Sequence, residues 1–427
     1  MLPEWEDLRE HASEIKEHTL THLADYLDEF SRNLESNGVI VHWAKDAQEF
    51  NEIAYSILAE HNVKKLVKSK SMLTEECEMN KYLIAKGIDV VETDLGERIL
   101  QLMNLKPAHI VVPAAHITRD EVGELFEKDG ISKDIGNHDP TYLTQCARYS
   151  LRQEFIEADA GMTGCNFGVA STGDCVVCTN EGNADMSTSI PKLHIVSMGI
   201  DKVIPNYDAL AVFQRLLVRS ATGQPSVSFT SQFRKARPGA EMHVILVDNG
   251  RSNIIADQLH WRTAKCIRCG ACMNTCPVYR RSMGYSYNYF IPGPIGINLG
   301  MVHNPKKHSG NVSACSLCLS CDLVCPVKVA PGSQIYYWRQ ALEGFGTENK
   351  EKKYMSVAMT ELYQHPAIYS VATKYAHFAN IIPQKMMDVK PNTWSVGHDM
   401  PHFPKKTFHT LYKQMMEEEK EKEKGIK

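Results

Sequence analysis

The spacing of eight cysteines constrains this chain more than any other feature. One run reads Cys266-Ile267-Arg268-Cys269-Gly270-Ala271-Cys272-Met273-Asn274-Thr275-Cys276-Pro277, and a second reads Cys315-Ser316-Leu317-Cys318-Leu319-Ser320-Cys321-Asp322-Leu323-Val324-Cys325-Pro326. Both follow C-x2-C-x2-C-x3-C-P, the spacing with which bacterial ferredoxins hold four-iron clusters. Three thiolates two residues apart can wrap one face of a cubane, and the fourth, ahead of proline, points to the other cluster. The first 4Fe-4S cluster is thus assigned to Cys266, Cys269, Cys272 and Cys325. The second is assigned to Cys315, Cys318, Cys321 and Cys276. Zinc also uses C-x2-C pairs, but it takes four ligands, and a third close cysteine plus Cys-Pro, repeated twice, is poor spacing for it.

Composition narrows the class without naming a function. The chain has 427 residues, 43% of them hydrophobic, which is ordinary for a globular protein of two or three domains. Its net charge of −4, from 47 basic and 51 acidic residues, is too balanced to argue for nucleic acid. The start, Met1-Leu2-Pro3-Glu4-Trp5-Glu6-Asp7, is acidic where a secretory leader would be basic. No apolar run reaches the roughly 18–20 residues that cross a bilayer. Thirteen cysteines without export signals point to a reducing cytoplasm, with a peripheral seat on the inner membrane through partners still open.

Periodicity divides the chain into an N-terminal helical arm (1–36), an α/β domain (37–260), a two-cluster ferredoxin domain (261–345) and a C-terminal helical extension with a charged tail (346–427). Leu20, Leu23, Leu27, Phe30 and Leu34 recur at three- and four-residue steps, one apolar helix face over residues 6–36. Between 37 and 260, strands are expected at 39–43, 63–67, 88–92, 109–113, 194–196 and 241–251, the last ending in the turn Asn249-Gly250. Helices are expected at 47–60, 75–85, 139–158 and 209–220. Such alternation predicts a largely parallel sheet. The 38 residues between Cys276 and Cys315 are too many for a hairpin ferredoxin and suit helices between the ligand runs. Their stretch Pro292-Gly293-Pro294-Ile295-Gly296 reads as a cluster shield, a docking surface or a plain loop. Residues 333–380 look helical, and the Glu/Lys-rich tail from Met415 reads as solvated or disordered.

One stretch is rich in Gly, Thr, Asn and Asp: 158–168, Thr172-Gly173-Asp174 and Thr179-Asn180-Glu181-Gly182-Asn183. Thr172, Asn180, Glu181 and Asn183 are the candidates for holding a small substrate, with Glu181 a general base if burial raises its pKa. Tight turns that cap their own backbone explain the same residues. Cys175 and Cys178 read as packing residues on a strand, because positions i and i+3 face opposite sides. Cys77 and Cys146 read as core, and Cys165 as a candidate reactive thiol.

In order, the residues Arg148-Tyr149-Ser150-Leu151-Arg152-Gln153-Glu154-Phe155, Gly161-Met162-Thr163-Gly164-Cys165-Asn166, Thr179 to Asn183, Ser220-Ala221-Thr222-Gly223-Gln224 and His243 to Arg251, then the two cysteine runs, resemble the lactate utilisation protein B family. Pro292 to Gly296 and Lys405-Lys406-Thr407-Phe408 fit the same pattern. The resemblance implies the iron–sulfur subunit of a bacterial complex that oxidises L-lactate to pyruvate. It implies a central α/β domain similar in fold to the ribose-phosphate isomerase and coenzyme A transferase group, with a mainly helical ferredoxin domain carrying two 4Fe-4S clusters. It implies two partner subunits, a cysteine-rich protein like a heterodisulfide reductase subunit and a smaller protein with the same central domain, and an electron acceptor that can be membrane-associated. Cys165, Cys175 and Cys178 depart from it, standing where Ala or aliphatic residues are expected. Three readings follow for the central domain: part of an electron relay, the catalyst with the clusters as its outlet, or a docking module.

Overall fold

The protein is represented by a computed structural model that describes residues 3–346, 350–383, 386, 398–399 and 401–425. The chain divides into two compact units, Met1–Ala341 and Leu342–Lys427. In the first, a mixed α/β domain is followed by a mostly helical domain that carries both cysteine runs.

Among the described residues, ten strands build two sheets. The main sheet holds β1 (Ile40–Ala44), β2 (Lys65–Lys68), β3 (Asp89–Glu92), β4 (Ala160–Gly164), β7 (Leu193–Gly199) and β10 (Glu241–Val247) in the order β1-β10-β7-β4-β2-β3. Every pairing in it is parallel. The smaller sheet holds β5 (Phe167–Val169), β6 (Asp174–Thr179), β8 (Val203–Ile204) and β9 (Phe229–Phe233) in the order β8-β5-β6-β9.

A parallel sheet is covered on both faces, so its strands run nearly continuously apolar and alternate between two cores. Met162, Ile195, Ile245 and Val247 pack with Phe50, Ala54, Ile57 and Leu58 of α3 (Ala47–Glu60). Val196, Met198, Val244 and Leu246 pack on the opposite face with Leu27, Phe30 and Leu34 of α2 (Leu23–Ser36). Each large side chain so buried contributes about 1.5–3 kcal/mol of hydrophobic stabilisation.

Several sequence expectations need correction. The arm over 6–36 is two helices, α1 (Trp5–Thr21) and α2, divided at His22. The helix over 75–85 is α4 (Met72–Glu76) and α5 (Met79–Ala85), separated by Glu78 in the left-handed region (φ 49°). Residues 109–113 form a loop, not a strand. There His109 Nδ1 accepts the amides of Val111 and Val112, both at 3.1 Å, taking donors that a neighbouring strand would otherwise use. The polar-looking 160–164 is the central strand β4. Its Gly161 is required because a Cβ there would lie 1.6 Å from the Ser187 carbonyl oxygen of α9 (Asn183–Ser189).

Four further helices serve the α/β domain. They are α6 (Leu95–Met103), α7 (Arg119–Lys128), α8 (Pro140–Glu157) and α10 (Tyr207–Ala221). Asp139 caps α8 from its side chain, with Pro140 in the first turn, as the sequence predicts.

After α11 (Arg251–Ala256) come α12 (Ala271–Thr275), α13 (Pro277–Ser282), α14 (Gly293–His303), α15 (Pro305–Ala314), α16 (Ser320–Val324) and α17 (Pro331–Ala341). Helices thus separate the two ligand runs. The second unit has helices at Lys350–Gln364, Pro366–Tyr375 and Phe408–Gly425, so the charged tail is helical through Gly425 rather than irregular. Among the described residues, no helix is long and apolar enough to cross a membrane.

Candidate functional site

The two cysteine runs fold alike. Arg268 (φ 61°) and Gly270 (φ 79°) flank Cys269 in the left-handed region, and Leu317 (φ 54°) and Leu319 (φ 59°) flank Cys318 in the same way. Left-handed turns on both sides of the second cysteine curl each run into a cup and aim its amides inward. The Arg268 amide donates to Cys266 Sγ at 3.4 Å and the Leu317 amide to Cys315 Sγ at 3.4 Å. The Val329 amide donates to Cys325 Sγ at 3.3 Å, and the Tyr279 amide to Cys276 Sγ at 3.5 Å.

The runs interlock. Burial, then the nearby Cys266, Cys269 and Cys325, push the Cys272 thiol well above its usual pKa. Burial raises Cys315 too, with Cys276 and Cys318 beside it. Burial, Asp322, Cys272 and Cys315 raise Cys321. The structure therefore brings Cys325 of the second run to Cys272 and its neighbours Cys266 and Cys269, and Cys276 of the first run beside Cys315. The Ile295 amide, at the start of α14, points at Cys272, so Pro292 to Gly296 is a buried cover over the first cup. Among the described residues, no three cysteine sulfurs lie within 4.8 Å of one another. A single tetrahedral zinc at its usual bond length would draw its sulfurs to about 3.8 Å apart. The amide-lined, thiol-only donor set, with Cys269, Cys321 and Cys325 buried, fits an iron–sulfur core.

A cavity of about 190 Å³ opens beside the first cup, at the carboxyl ends of the main-sheet strands. Chain connections leave β2 outward to β3 and then return to β4 on the other side of β2, which makes this a topological switch point, where α/β sheets bind ligands. Lys70 and Ser71 come from the end of β2, Gly164, Cys165 and Asn166 from the end of β4, and Ile267, Arg268 and Cys269 from the first cysteine run. Lys70 Nζ donates to the Val111 carbonyl at 2.9 Å, and Lys202 Nζ to the Cys266 carbonyl at 2.8 Å. Arg251 holds Glu76 through two bonds of 2.9 and 2.8 Å and Asp201 through a third of 2.7 Å. That pairing lies over Gly199, where a Cβ would meet the Asp201 carboxylate at 2.5 Å. Arg268 Nη1 is buried with no hydrogen-bond partner.

The four sequence candidates separate. Asn180 lines the cavity, together with Thr179 and Asp94. Glu181 sits behind it, its Oε1 accepting the Leu95 amide at 3.2 Å, and burial and Asp94 push its carboxyl up to about 7. Thr172 lies on the β5–β6 turn with its hydroxyl on Asp174 at 2.5 Å, and does not line the cavity. Asn183, 2% exposed, opens α9 and accepts the Ala184 amide at 3.0 Å, with its Nδ2 unpartnered. Cys165 and Cys178 face the cavity, and Cys175 lies fully buried beside Cys165. The sequence reading missed Lys70, Lys202 and Arg251. All three stand at or a few residues after the ends of predicted strands, which is the one signal that could have found them.

Comparison with known proteins matches two families along the chain. The family described as "LUD domain" matches residues 27–248, and the "4Fe-4S dicluster domain" matches residues 262–329. Lactate utilization protein B of Oceanobacillus iheyensis is 40% identical over 387 residues, 88% of this chain and 80% of that protein. The protein of the same name from Bacillus pumilus is 38% identical over 438 residues, 98% of this chain and 90% of that one. An uncharacterized electron transport protein of Escherichia coli, YkgF, is 35% identical, again over 98% of this chain and 90% of its own length.

Proposed function

This chain belongs to the lactate utilization protein B family, and on that premise we propose that it is the iron–sulfur electron-relay subunit of an oxidoreductase complex taking L-lactate to pyruvate. The observation that carries this reading is the shared wall, since the cavity at the strand ends is lined by Ile267, Arg268 and Cys269 of the first ligand run. Cys266, Cys269, Cys272 and Cys325 would hold one 4Fe-4S cluster, and Cys276, Cys315, Cys318 and Cys321 the other. Two such clusters, when bound, supply a pair of one-electron centres, which matches the two electrons released with two protons as a 2-hydroxy acid becomes a 2-oxo acid.

The residues of this chain supply the rest. The amides on Cys266, Cys276, Cys315 and Cys325 stabilise negative charge on sulfur, and the buried Pro292 to Gly296 segment covers the Cys272 side of the first cup. Lys70, Lys202, Arg251 and Arg268 outnumber Glu76 and Asp94 in the cavity lining, and the unpartnered Arg268 Nη1 is a donor suited to a carboxylate. Glu181, its carboxyl pushed up to about 7 by burial and by Asp94, holds or releases a proton near neutrality behind the cavity-lining Asp94 and Asn180, which suits an acid–base role. That placement favours a second reading, in which the α/β domain binds lactate itself. The parallel sheet with its ligand cavity at the strand ends also supports the likeness in fold to the ribose-phosphate isomerase and coenzyme A transferase group. Two further subunits would complete the complex, in the cytoplasm or at the inner face of the membrane through those partners. The second unit, with Tyr354, Ile381 and Phe408 each about three-quarters exposed, offers apolar surface for them.

Anaerobic reconstitution followed by electron paramagnetic resonance tests the proposal. About eight irons and eight sulfides per chain are expected. Lactate should reduce these centres only when the partner subunits are present. Reduction by lactate of the isolated chain would move catalysis into the cavity, and a colourless, sulfide-free folded chain would overturn the relay.

A further inference from the structure

At the other end of the main sheet, away from the cavity, two imidazoles and a carboxylate converge. His61 is the residue that closes α3, Glu241 and His243 lie at the start of β10, and His61 Nε2, Glu241 Oε1 and His243 Nε2 all lie within 4.8 Å of one another. His243 Nε2 is 2.6 Å and His61 Nε2 3.3 Å from the same carboxylate oxygen. We propose that His61, Glu241 and His243 form a binding site for a divalent first-row metal ion of the zinc type, separate from the two cysteine cups.

The remaining ring nitrogens carry the argument. His61 Nδ1 lies 2.9 Å from the Ile57 carbonyl, which can only accept, so Nδ1 carries the proton. In the neutral ring Nε2 is then a bare lone pair aimed at a carboxylate. That arrangement is repulsive unless a cation, a proton or a metal, stands between them. His243 Nδ1 lies 2.9 Å from His42 Nε2 on β1, so His42 can accept its proton and turn the His243 Nε2 lone pair toward the same point. Metal-ligating histidines are oriented in this way, with the second nitrogen donating to a carbonyl or another acceptor.

Two imidazoles and one carboxylate match zinc, with a fourth position open to water. The site is also accessible, since the side chains of His61 and Glu241 are 32% and 44% exposed while that of His243 is 5% exposed. The ion would join the end of α3 to β10, with His42 bringing in β1, the edge strand of the sheet. It binds the folded chain and not the unfolded one, so it acts as a clamp on that edge.

The test uses the full chain with both cysteine cups loaded with iron and sulfide, so that thiolates do not compete. Anaerobic equilibrium dialysis against zinc, and in parallel against ferrous ion, is followed by metal analysis. One extra metal ion per chain is expected at micromolar concentration. His61→Ala and Glu241→Gln should each weaken it at least tenfold, and His42→Phe, a positioning change, about tenfold. Both His61 and Glu241 are partly exposed, and unchanged iron content and circular dichroism show that the variants fold. The exposed pair His18 and His22 is the control, and His18→Ala should change nothing. The wild-type chain taking up neither metal beyond its cluster iron would overturn the site. So would uptake that survives His61→Ala and Glu241→Gln, or that disappears with His18→Ala.

Discussion

Glu181 stands where burial and a second carboxylate act together. Its carboxyl is pushed up to about 7 by burial and by Asp94, against an ordinary value of 4.5. Below about pH 4.5 folded and unfolded chains both hold this proton, and nothing is lost. Between about 4.5 and 7 the folded chain keeps a proton that the unfolded chain releases, so stability falls as pH rises, and above about 7 the full penalty is present. Removing the charge with Glu181→Gln should shrink the loss of unfolding free energy between about pH 6 and 8.5 by about 1 kcal/mol, measured by anaerobic urea titration at both pH values. An unchanged pH dependence would show that Glu181 keeps an ordinary pKa. The sequence singled out Glu181 as a base conditional on burial, and the structure supplies that burial. It could not tell Glu181 from Thr172. Both follow turn residues, and only the path of the sheet places one behind the cavity and the other on a hairpin turn with Asp174.

At the scale of the element, the ligand loops show what spacing can and cannot convey. Cysteine intervals predict the donors, and Cys-Pro predicts the crossed ligand, because those are properties of the string itself. The left-handed backbone at Arg268, Leu317 and Leu319 is not written in residue type, since only Gly270 is the residue that conformation favours. The 109–113 loop was missed for a related reason. Its apolar pattern is that of a strand, and only contact with the first cup and the His109 ring gives its amides another partner. Gly270 and Leu319 occupy equivalent places in the two cups, which permits a paired test. Gly270→Ala puts a side chain at φ 79° with its Cβ 3.3 Å from both His109 and Val111. It should cost about 1–2 kcal/mol. Leu319→Gly removes strain but adds unfolded-state freedom, so its net effect should stay within about 0.5 kcal/mol. Anaerobic denaturation with iron content as a second readout checks both. Equal losses in the two variants would mean that the cups are not conformationally equivalent.

At the scale of the molecule, α1 is the piece that periodicity could describe but not place. It reaches both domains of the first unit. Lys16 Nζ donates to the Asp201 carbonyl at 2.5 Å, Lys265 Nζ donates to Ser13 at 2.5 Å, and Lys328 pairs with Glu6 at 2.9 Å and with Glu10. These are polar anchors on a helix whose apolar face is short, so no hydrophobic pattern announces them. The second unit is a separate matter. If its exposed apolar surface serves the partners, deleting residues 346–427 should leave iron content and unfolding midpoint unchanged while abolishing co-purification with the other subunits. Retained assembly would place that interface on the first unit. Arg9 gives the sharpest test of α1. Its side chain is 11% exposed, and its Nε and Nη2 both donate to the Cys325 carbonyl, at 3.0 and 2.9 Å. Cys325 is the proposed fourth ligand of the first cluster, so this fork would fix the residue that supplies the first cup's fourth sulfur. Arg9→Ala leaves a largely buried carbonyl with lost charge-assisted donors, a cost of about 1–3 kcal/mol. Arg9→Lys can restore one bond but not the fork. Under an iron chelator, release of iron should accelerate most in Arg9→Ala and less in Arg9→Lys. Loss of half the iron before the remainder would locate the effect at the first cup. Release at the wild-type rate in both variants would mean that α1 stabilises the fold without holding the ligand.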